Sequence, residues 1–255
     1  MGTAYYPGCT LKTKAKNLED AALAAAAALG LEMDELERWN CCGAVYSLAD
    51  DDLIHQIAPV RDLIRAKEAG HDTIVTLCSM CYNTLARANK MMREDEEKRF
   101  TINTFMDEEL DYEGEVEVVH FLTYLQREIG WEALADKVQV PLSGLKVAPY
   151  YGCTLTRPYD VSIDEAPENP TVMKGFLAAL GADPVAYDDA MTCCGSYQML
   201  THTEAALAST SKVIASARGA GAEVLALSCP LCEYNVGVRQ RDLLKADPDW
   251  SEVPT

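Results

Sequence analysis

The chain carries ten cysteines whose order runs through twice. Cys9, the adjacent pair Cys41–Cys42 with Gly43, and Cys78-Ser79-Met80-Cys81 return as Cys153, Cys193-Cys194-Gly195 and Cys229-Pro230-Leu231-Cys232. The spacings are C-x31-CC-G-x34-C-x2-C and C-x39-CC-G-x33-C-x2-C, so each copy uses five cysteines and none is left over. Flanking residues repeat too. Tyr5-Tyr6-Pro7-Gly8-Cys9 returns as Tyr150-Tyr151-Gly152-Cys153, and Tyr82-Asn83 returns as Tyr234-Asn235, one place later. Ala66-Lys67-Glu68-Ala69-Gly70 corresponds to Ala217-Arg218-Gly219-Ala220-Gly221. Three cysteine matches in the same order indicate a duplication. The longer first spacing of the second copy reads as an insertion at residues 157–170, a stretch rich in proline and acid.

Five thiols per copy narrow the chemistry. A structural zinc ion takes four ligands in a tetrahedron, and a regular cubane iron–sulfur cluster also takes four. A single C-x2-C could be a redox disulfide, half a zinc site or two packed core residues; five cysteines repeated in order argue for a shared task. Neighbours such as Cys41 and Cys42 point to opposite sides of an extended strand, so they reach one centre only from a turn. Gly43 and Gly195 permit such a turn and are candidate cofactor-binding positions. The residues alone leave two readings open: a larger iron–sulfur assembly, or a four-thiolate site with one reactive spare.

The elements that must position these thiols follow from hydrophobic pattern and breakers. Residues 4–6, 73–77, 116–119, 145–148 and 224–227 are short apolar or β-branched runs that read as buried strands. Residues 15–29, 51–69, 83–98, 171–180 and 204–218 read as helices, with Gly30, Gly70, Gly181 and Gly221 at four of their C-terminal ends. Strand alternating with helix predicts an α/β protein of two similar domains, 1–140 and 141–255, related by a pseudo-two-fold axis. Each would hold a short, mainly parallel sheet flanked by helices. Residues 107–114 read as an acidic connection and 134–144 as a linker. Cys9 and Cys153 then follow first strands, and Cys78 and Cys229 follow strands and open helices. That is the sheet edge where ligands of parallel sheets gather, and helix N-termini there favour thiolates.

Composition bounds the rest. The chain has 255 residues, 49% hydrophobic and 24% charged, enough for a full core without disulfide staples. Its net charge of -18 disfavours nucleic acid and anionic membrane surfaces as partners. The start MGTAYYPGCT lacks the basic and apolar regions of a signal peptide, and no apolar run reaches the ~20 residues of a membrane span. A cytoplasmic protein without direct membrane insertion is expected. Thiols in that compartment stay reduced, which points ten cysteines toward metal or catalysis.

With these motifs the sequence resembles the duplicated cysteine-rich CCG domain, and within it the B subunit of heterodisulfide reductase, from Tyr5 to about Val238. The resemblance implies two noncubane [4Fe-4S] clusters. Cys9, Cys41, Cys42, Cys78 and Cys81 would bind one; Cys153, Cys193, Cys194, Cys229 and Cys232 would bind the other. It implies an oxidoreductase that opens a disulfide (CoM-S-S-CoB or a bacterial equivalent) between the clusters, one electron from each. It also implies partners: the iron–sulfur relay subunit and the flavin-carrying subunit of heterodisulfide reductase, and hydrogenase or formate dehydrogenase modules of electron-bifurcating complexes. Methanogen members commonly have histidine after the second-copy YGC; this chain has Thr154. The family pattern would continue past Thr255 with a further strand and helix. The alternative is a CCG electron-transfer protein feeding a quinone or flavin partner without a disulfide substrate; a zinc-bound structural protein is a third reading.

Other residues have plainer readings. His202 opens a helix and reads as a surface residue, and His55, His71 and His120 as structural. Lys12 and Arg157 could meet an anionic substrate tail, with surface solvation the simpler role. One tyrosine at each of Tyr5-Tyr6 and Tyr150-Tyr151 could shield a cluster, although strand alternation already predicts one core tyrosine there. The charged run Arg93–Arg99 reads as a solvated helix end. Gly-rich phosphate loops are absent from the sequence, so no nucleotide or flavin site is expected in the chain itself.

Overall fold

A computed structural model describes residues 2–44, 52–246 and 252–255. The chain divides into two compact units, Met1–Tyr124 and Leu125–Thr255.

The first unit is built on strands β1 (Gly2–Tyr5), β2 (Asp34–Glu35), β3 (His71–Thr76) and β4 (Glu117–His120). They form a wholly parallel sheet in the order β2-β1-β3-β4. Ala4, Tyr5, Ile74, Val75 and Val119 are buried in it, which explains why these strands read as continuous apolar runs rather than alternating ones. Helices α1 (Gly8–Leu11), α2 (Lys16–Leu29), α3 (Ile57–Glu68), α4 (Ser79–Glu94) and α5 (Glu96–Phe105) connect and flank the strands. Val60, Leu63 and Ile64 of α3 (i, i+3, i+4) and Leu85, Ala88 and Met92 of α4 (i, i+3, i+7) are fully buried, one stripe on each helix. Gly30 ends α2 in the left-handed conformation at φ 75°, its N–H reaching the Ala26 and Ala27 carbonyls.

The second unit repeats the plan. Helix α6 (Phe121–Glu128) carries the chain across the boundary at Leu125, and α7 (Trp131–Lys137) leads to β5 (Lys146–Pro149). Then come α8 (Val172–Ala179), β6 (Asp183–Pro184), α9 (Thr203–Gly219), β7 (Val224–Ala226), α10 (Pro230–Cys232), a π-helix at Glu233–Val238 and α11 (Gln240–Ala246). The sheet is again parallel, in the order β6-β5-β7. Beside β7, in the position β4 takes in the first unit, Pro254 accepts the Leu225 N–H at 2.8 Å. The Gln240 side chain holds Val253 by both its backbone N–H and its C=O.

The α/β class and the parallel sheets stand as expected from sequence, with three local corrections. The helix expected over 83–98 starts at Ser79 and ends at Glu94. Asp95 then caps α5 by accepting the Lys98 N–H at 3.0 Å, so the charged run is a break between two helices rather than one solvated end. The stretch expected to be a linker over 134–144 begins inside α7, whose Trp131 packs on Phe176 with ring centroids 6.1 Å apart. The helix expected from Asp51 is a 3-10 turn at Leu53–Gln56 followed by α3; Asp51 lies outside the described residues. The two-residue edge strands β2 and β6 carry no apolar run and were invisible to the pattern.

Candidate metal centre

Strand order places the cysteines. In the first sheet the chain leaves β1 toward β2 on one side and β3 on the other, so a crevice opens at the carboxyl ends of β1 and β3. Cys9 lies in α1 just past β1, Cys41 and Cys42 follow β2, and Cys78 caps α4 just past β3 with Cys81 one turn on. The second sheet offers the same crevice between β5 and β7. Cys153 follows β5, Cys193 and Cys194 follow β6, and Cys229 caps α10 after β7.

The thiols converge within each half. Cys41 Sγ stands 3.7 Å from Cys9 Sγ, and Cys42 Sγ stands 3.6 Å from Cys81 Sγ. Cys41 also meets Cys42, and Cys81 meets Cys78, so all five are linked. In the second half Cys194 Sγ lies 3.6 Å from Cys232 Sγ. Cys153 meets Cys193, Cys193 meets Cys194, and Cys232 meets Cys229. The linkage is the same in both. None of the ten forms a disulfide. Two thiolates sharing a tetrahedral metal atom at ~2.3 Å would lie roughly 3.8 Å apart, close to the measured pair separations. Among the described residues no three or more His, Cys, Asp or Glu side chains are grouped so as to hold a metal ion. Paired thiols with a fifth beside them fit a cluster of several metal atoms better than one ion.

Crowding shapes their ionisation. Hydrogen bonds from Cys41 and then Cys81 hold Cys42 well below the ordinary thiol value, while Cys41 and Cys81 are pushed up, chiefly by Cys42. In the second half a hydrogen bond from Cys153, then one from Cys194, brings Cys193 down to about 2, and Cys194 rises to about 12, chiefly because of Cys193. Five thiols in contact cannot all ionise without a cation among them, a charge that a bound metal cluster would supply.

The CCG turns are built as the sequence suggested, and more tightly. Gly43 and Gly195 have φ 80° and 91°, and the next residues, Ala44 and Ser196, are also left-handed at φ 39° and 48°. The turn aims backbone N–H groups at sulfur: Gly43 at Cys41, Ala44 at Cys42, Gly195 at Cys193 and Ser196 at Cys194. Such donors stabilise thiolate and tune any cluster bound to it.

Gly8 and Gly152 went unread in the sequence, and Tyr6 and Tyr150 were read only as candidate cluster shields or core residues. A Cβ on Gly8 (φ 69°) would crowd Cys81 Sγ at 3.0 Å; one on Gly152 (φ 61°) would meet Cys232 Sγ at an ordinary 3.5 Å, and there it is the left-handed backbone that favours glycine. Tyr6 and Tyr150 are the structural equivalents. The Tyr6 hydroxyl donates to Asn40 O at 2.7 Å and that of Tyr150 to Thr192 O at 2.6 Å, each gripping the residue before a CC pair. Burial, then the nearby thiols, push both phenols far above their ordinary range. Thr84 donates to Ala44 O in the first half, and Asn235 to Ser196 O, Cys194 O and Cys194 Sγ in the second. The π-helix after Cys232 takes up the one-residue shift of Tyr234-Asn235 in the repeat. The shifted dipeptide was the available signal.

The remaining polar candidates stand apart from the thiols' linkage. Lys12 is already paired with Glu19 at 2.8 Å and Glu35 at 2.6 Å. His202 is exposed at the start of α9 and bonds Thr201 at 2.9 Å. His120 is buried, with Nε2 3.2 Å from Leu77 O.

A family model described as a cysteine-rich domain, CCG, matches residues 3–86 and 147–237. The chain belongs to the CCG family. It is 33% identical over 252 residues (98% of this chain, 87% of the relative) to the 8-methylmenaquinol:fumarate reductase membrane anchor subunit of Wolinella succinogenes. It is 30% identical over 231 residues (89% and 76%) to the B subunit of the ferredoxin/F(420)H(2)-dependent CoB-CoM heterodisulfide reductase of Methanosarcina acetivorans. A protein of Archaeoglobus profundus named for its likeness to the heterodisulfide reductase B subunit is 30% identical over 192 residues (74% and 64%). A solved structure of a hypothetical protein from Helicobacter pylori shares the fold with TM-score 0.78 at 12% identity; the likeness covers 100% of this CCG chain and 46% of that one. Among the described residues no helix is long and apolar enough to cross a membrane.

Proposed function

We propose that this CCG protein is the iron–sulfur subunit of a heterodisulfide-reductase-like oxidoreductase, reducing a disulfide with one electron from each half. Cys9, Cys41, Cys42, Cys78 and Cys81 hold one noncubane [4Fe-4S] cluster, and Cys153, Cys193, Cys194, Cys229 and Cys232 the other. Gly43 and Gly195 shape the turns that bring the paired thiols in, within domains 1–140 and 141–255. The observation that carries this reading is the same five-thiol linkage, with 3.6 Å between the third and fifth cysteines, at the carboxyl edge of both sheets. The clusters supply one-electron transfers, and opening an S–S bond takes two electrons. The chain's own residues hold the thiols, donate N–H groups to sulfur and, through Tyr6 and Tyr150, fix the loops. Electrons reach a cytoplasmic protein of this kind through the iron–sulfur relay and flavin-carrying subunits of its complex, with hydrogenase or formate dehydrogenase modules as the source.

The fumarate reductase relative favours a second reading, in which the same clusters pass electrons to or from a quinone partner and no disulfide binds. Anaerobic protein is assayed for iron and followed by EPR during addition of disulfides or of a menaquinone analogue. About eight irons per chain, and a new signal with a disulfide alone, is the expected result. A response to the quinone only supports the second reading, and colourless protein with two zinc ions per chain refutes both.

A further inference from the structure

The two halves hold their thiols alike but support them differently. In the first half Asn40, directly before Cys41, is bonded on every side. Its backbone N–H donates to Asp62 Oδ1 at 2.8 Å, and its Nδ2 donates to Asp62 Oδ2 at 3.2 Å and to the Ala58 and Cys41 carbonyls at 3.1 Å. Its Oδ1 accepts from Arg65 at 2.9 Å, and its carbonyl accepts from Tyr6. Asp62 is fully buried on α3. In the second half the repeat places Val213 where Asp62 stands, and it too is fully buried. Thr192 replaces Asn40 and bonds Asp189 three residues upstream in its own loop at 2.8 Å. There α9 reaches the CCG turn through Thr210, which donates to Cys194 O at 3.1 Å.

A buried carboxylate in a duplicated core is costly unless it does something a valine cannot. Here it satisfies two donors of the one residue that sets the direction of Cys41 and Cys42. We infer that Asp62, acting through Asn40, is the positioning residue for the first half's cysteine pair, and that the second half, with Val213 at that place on its helix, holds Thr192 instead through Asp189 of its own loop, which pairs with Lys212 of α9 at 2.9 Å. The inference rests on the cluster reading above. It makes the two metal sites separable: one substitution on α3 disturbs the first and spares the second.

The test uses full-length anaerobic protein, with iron per chain and low-temperature EPR and Mössbauer spectra as readouts. Cys41→Ser and Cys193→Ser assign spectral features to each half. Asp62→Val, the second half's own residue, is expected to lose the first half's features and about half of the iron while keeping the second half's features. Asp62→Asn is expected to retain both, because its Oδ1 still accepts the Asn40 N–H. Unchanged first-half features in iron-loaded Asp62→Val, equal loss from both halves, or failure of Asp62→Asn to rescue would each overturn the inference. Wild-type protein without iron would overturn the cluster reading itself, and this inference with it.

Discussion

Gly43 and Gly195 occupy the same place in the two CCG turns, yet alanine at each should have unequal effects. Both are left-handed, at φ 80° and 91°. An L-residue held there costs about 1–2 kcal/mol, so backbone strain alone predicts similar losses. Space does not. Among the described residues a Cβ on Gly43 meets only ordinary contacts, His55 O at 3.7 Å and Ala58 Cβ at 4.0 Å. A Cβ on Gly195 would stand 2.6 Å from Ala206 Cβ and 2.7 Å from Ala206 Cα. Ala206 sits in the first turn of α9, 1% exposed, and has no flexible side chain to yield. Turn or helix must move, and overpacking of that kind costs about 1–3 kcal/mol more. Gly195→Ala should therefore destabilise by about 2–5 kcal/mol and Gly43→Ala by about 1–2 kcal/mol.

Urea unfolding of the two variants reads the difference. With a slope of about 2 kcal/mol per molar, the midpoint should fall by about 0.5–1 M for Gly43→Ala and about 1–2.5 M for Gly195→Ala. Displacing α9 also moves Thr210 away from the Cys194 carbonyl, so Gly195→Ala should lose metal from the second half first. Equal midpoint shifts, or a larger one for Gly43→Ala, would refute the assignment of the extra cost to Ala206.

Two further outcomes follow from the geometry. Tyr6→Phe and Tyr150→Phe each strip a half-buried acceptor of its donor, Asn40 O or Thr192 O. Each should cost about 0.5–1.5 kcal/mol in urea unfolding and loosen metal in its own half only, read as iron released to a chelator; release from both halves alike would count against the local role. Glu19 is buried, which pushes its carboxyl up, but Lys12 and Lys16 more than offset this and hold it below the usual carboxylate range. Its contribution to stability is thus present above the unfolded-state value of 4.5 and lost as pH falls through the lower folded value. Glu19→Gln keeps the acceptor for the Tyr5 hydroxyl and should flatten the fall in Tm below pH 5; an unaltered Tm profile would show that the pairs with lysine do not stabilise the fold.

How much of this was legible in the sequence depends on whether a residue's task is local. Cys78 and Cys229 could be placed because a strand followed by a helix is written in adjacent residues, and the CCG turns because paired cysteines before glycine admit one geometry. Gly30 could be assigned as a helix end from the apolar run it closes. Strands β2 and β6 could not be seen, because two residues such as Asp34 and Glu35 carry no period. The break at Asp95 had a signal in the acidic first turn Glu96-Glu97 after a capping aspartate, which the surrounding charge obscured. Asp62 and Tyr6 were out of reach for another reason: each meets its partner, Asn40, across 22 and 34 residues, and nothing near them in the chain announces that partner.

The duplication itself separates what the site demands from what the scaffold tolerates. Identical in both halves are the five-thiol linkage, the left-handed glycine after each pair, the glycine against the last cysteine, and the tyrosine on the carbonyl before the pair. Those features touch sulfur or fix the backbone that carries it. Different are the second-line supports: Asp62 against Val213, Asn40 against Thr192, a regular helix against a π-helix after the last cysteine. Each replacement reaches the same loop from another direction, so the loop is held while its surroundings drift. Hydrogen bonds to the sulfurs and the exposure of a cluster set its potential. Two halves alike in their ligands and unlike in these supports are therefore expected to hold clusters of unequal potential.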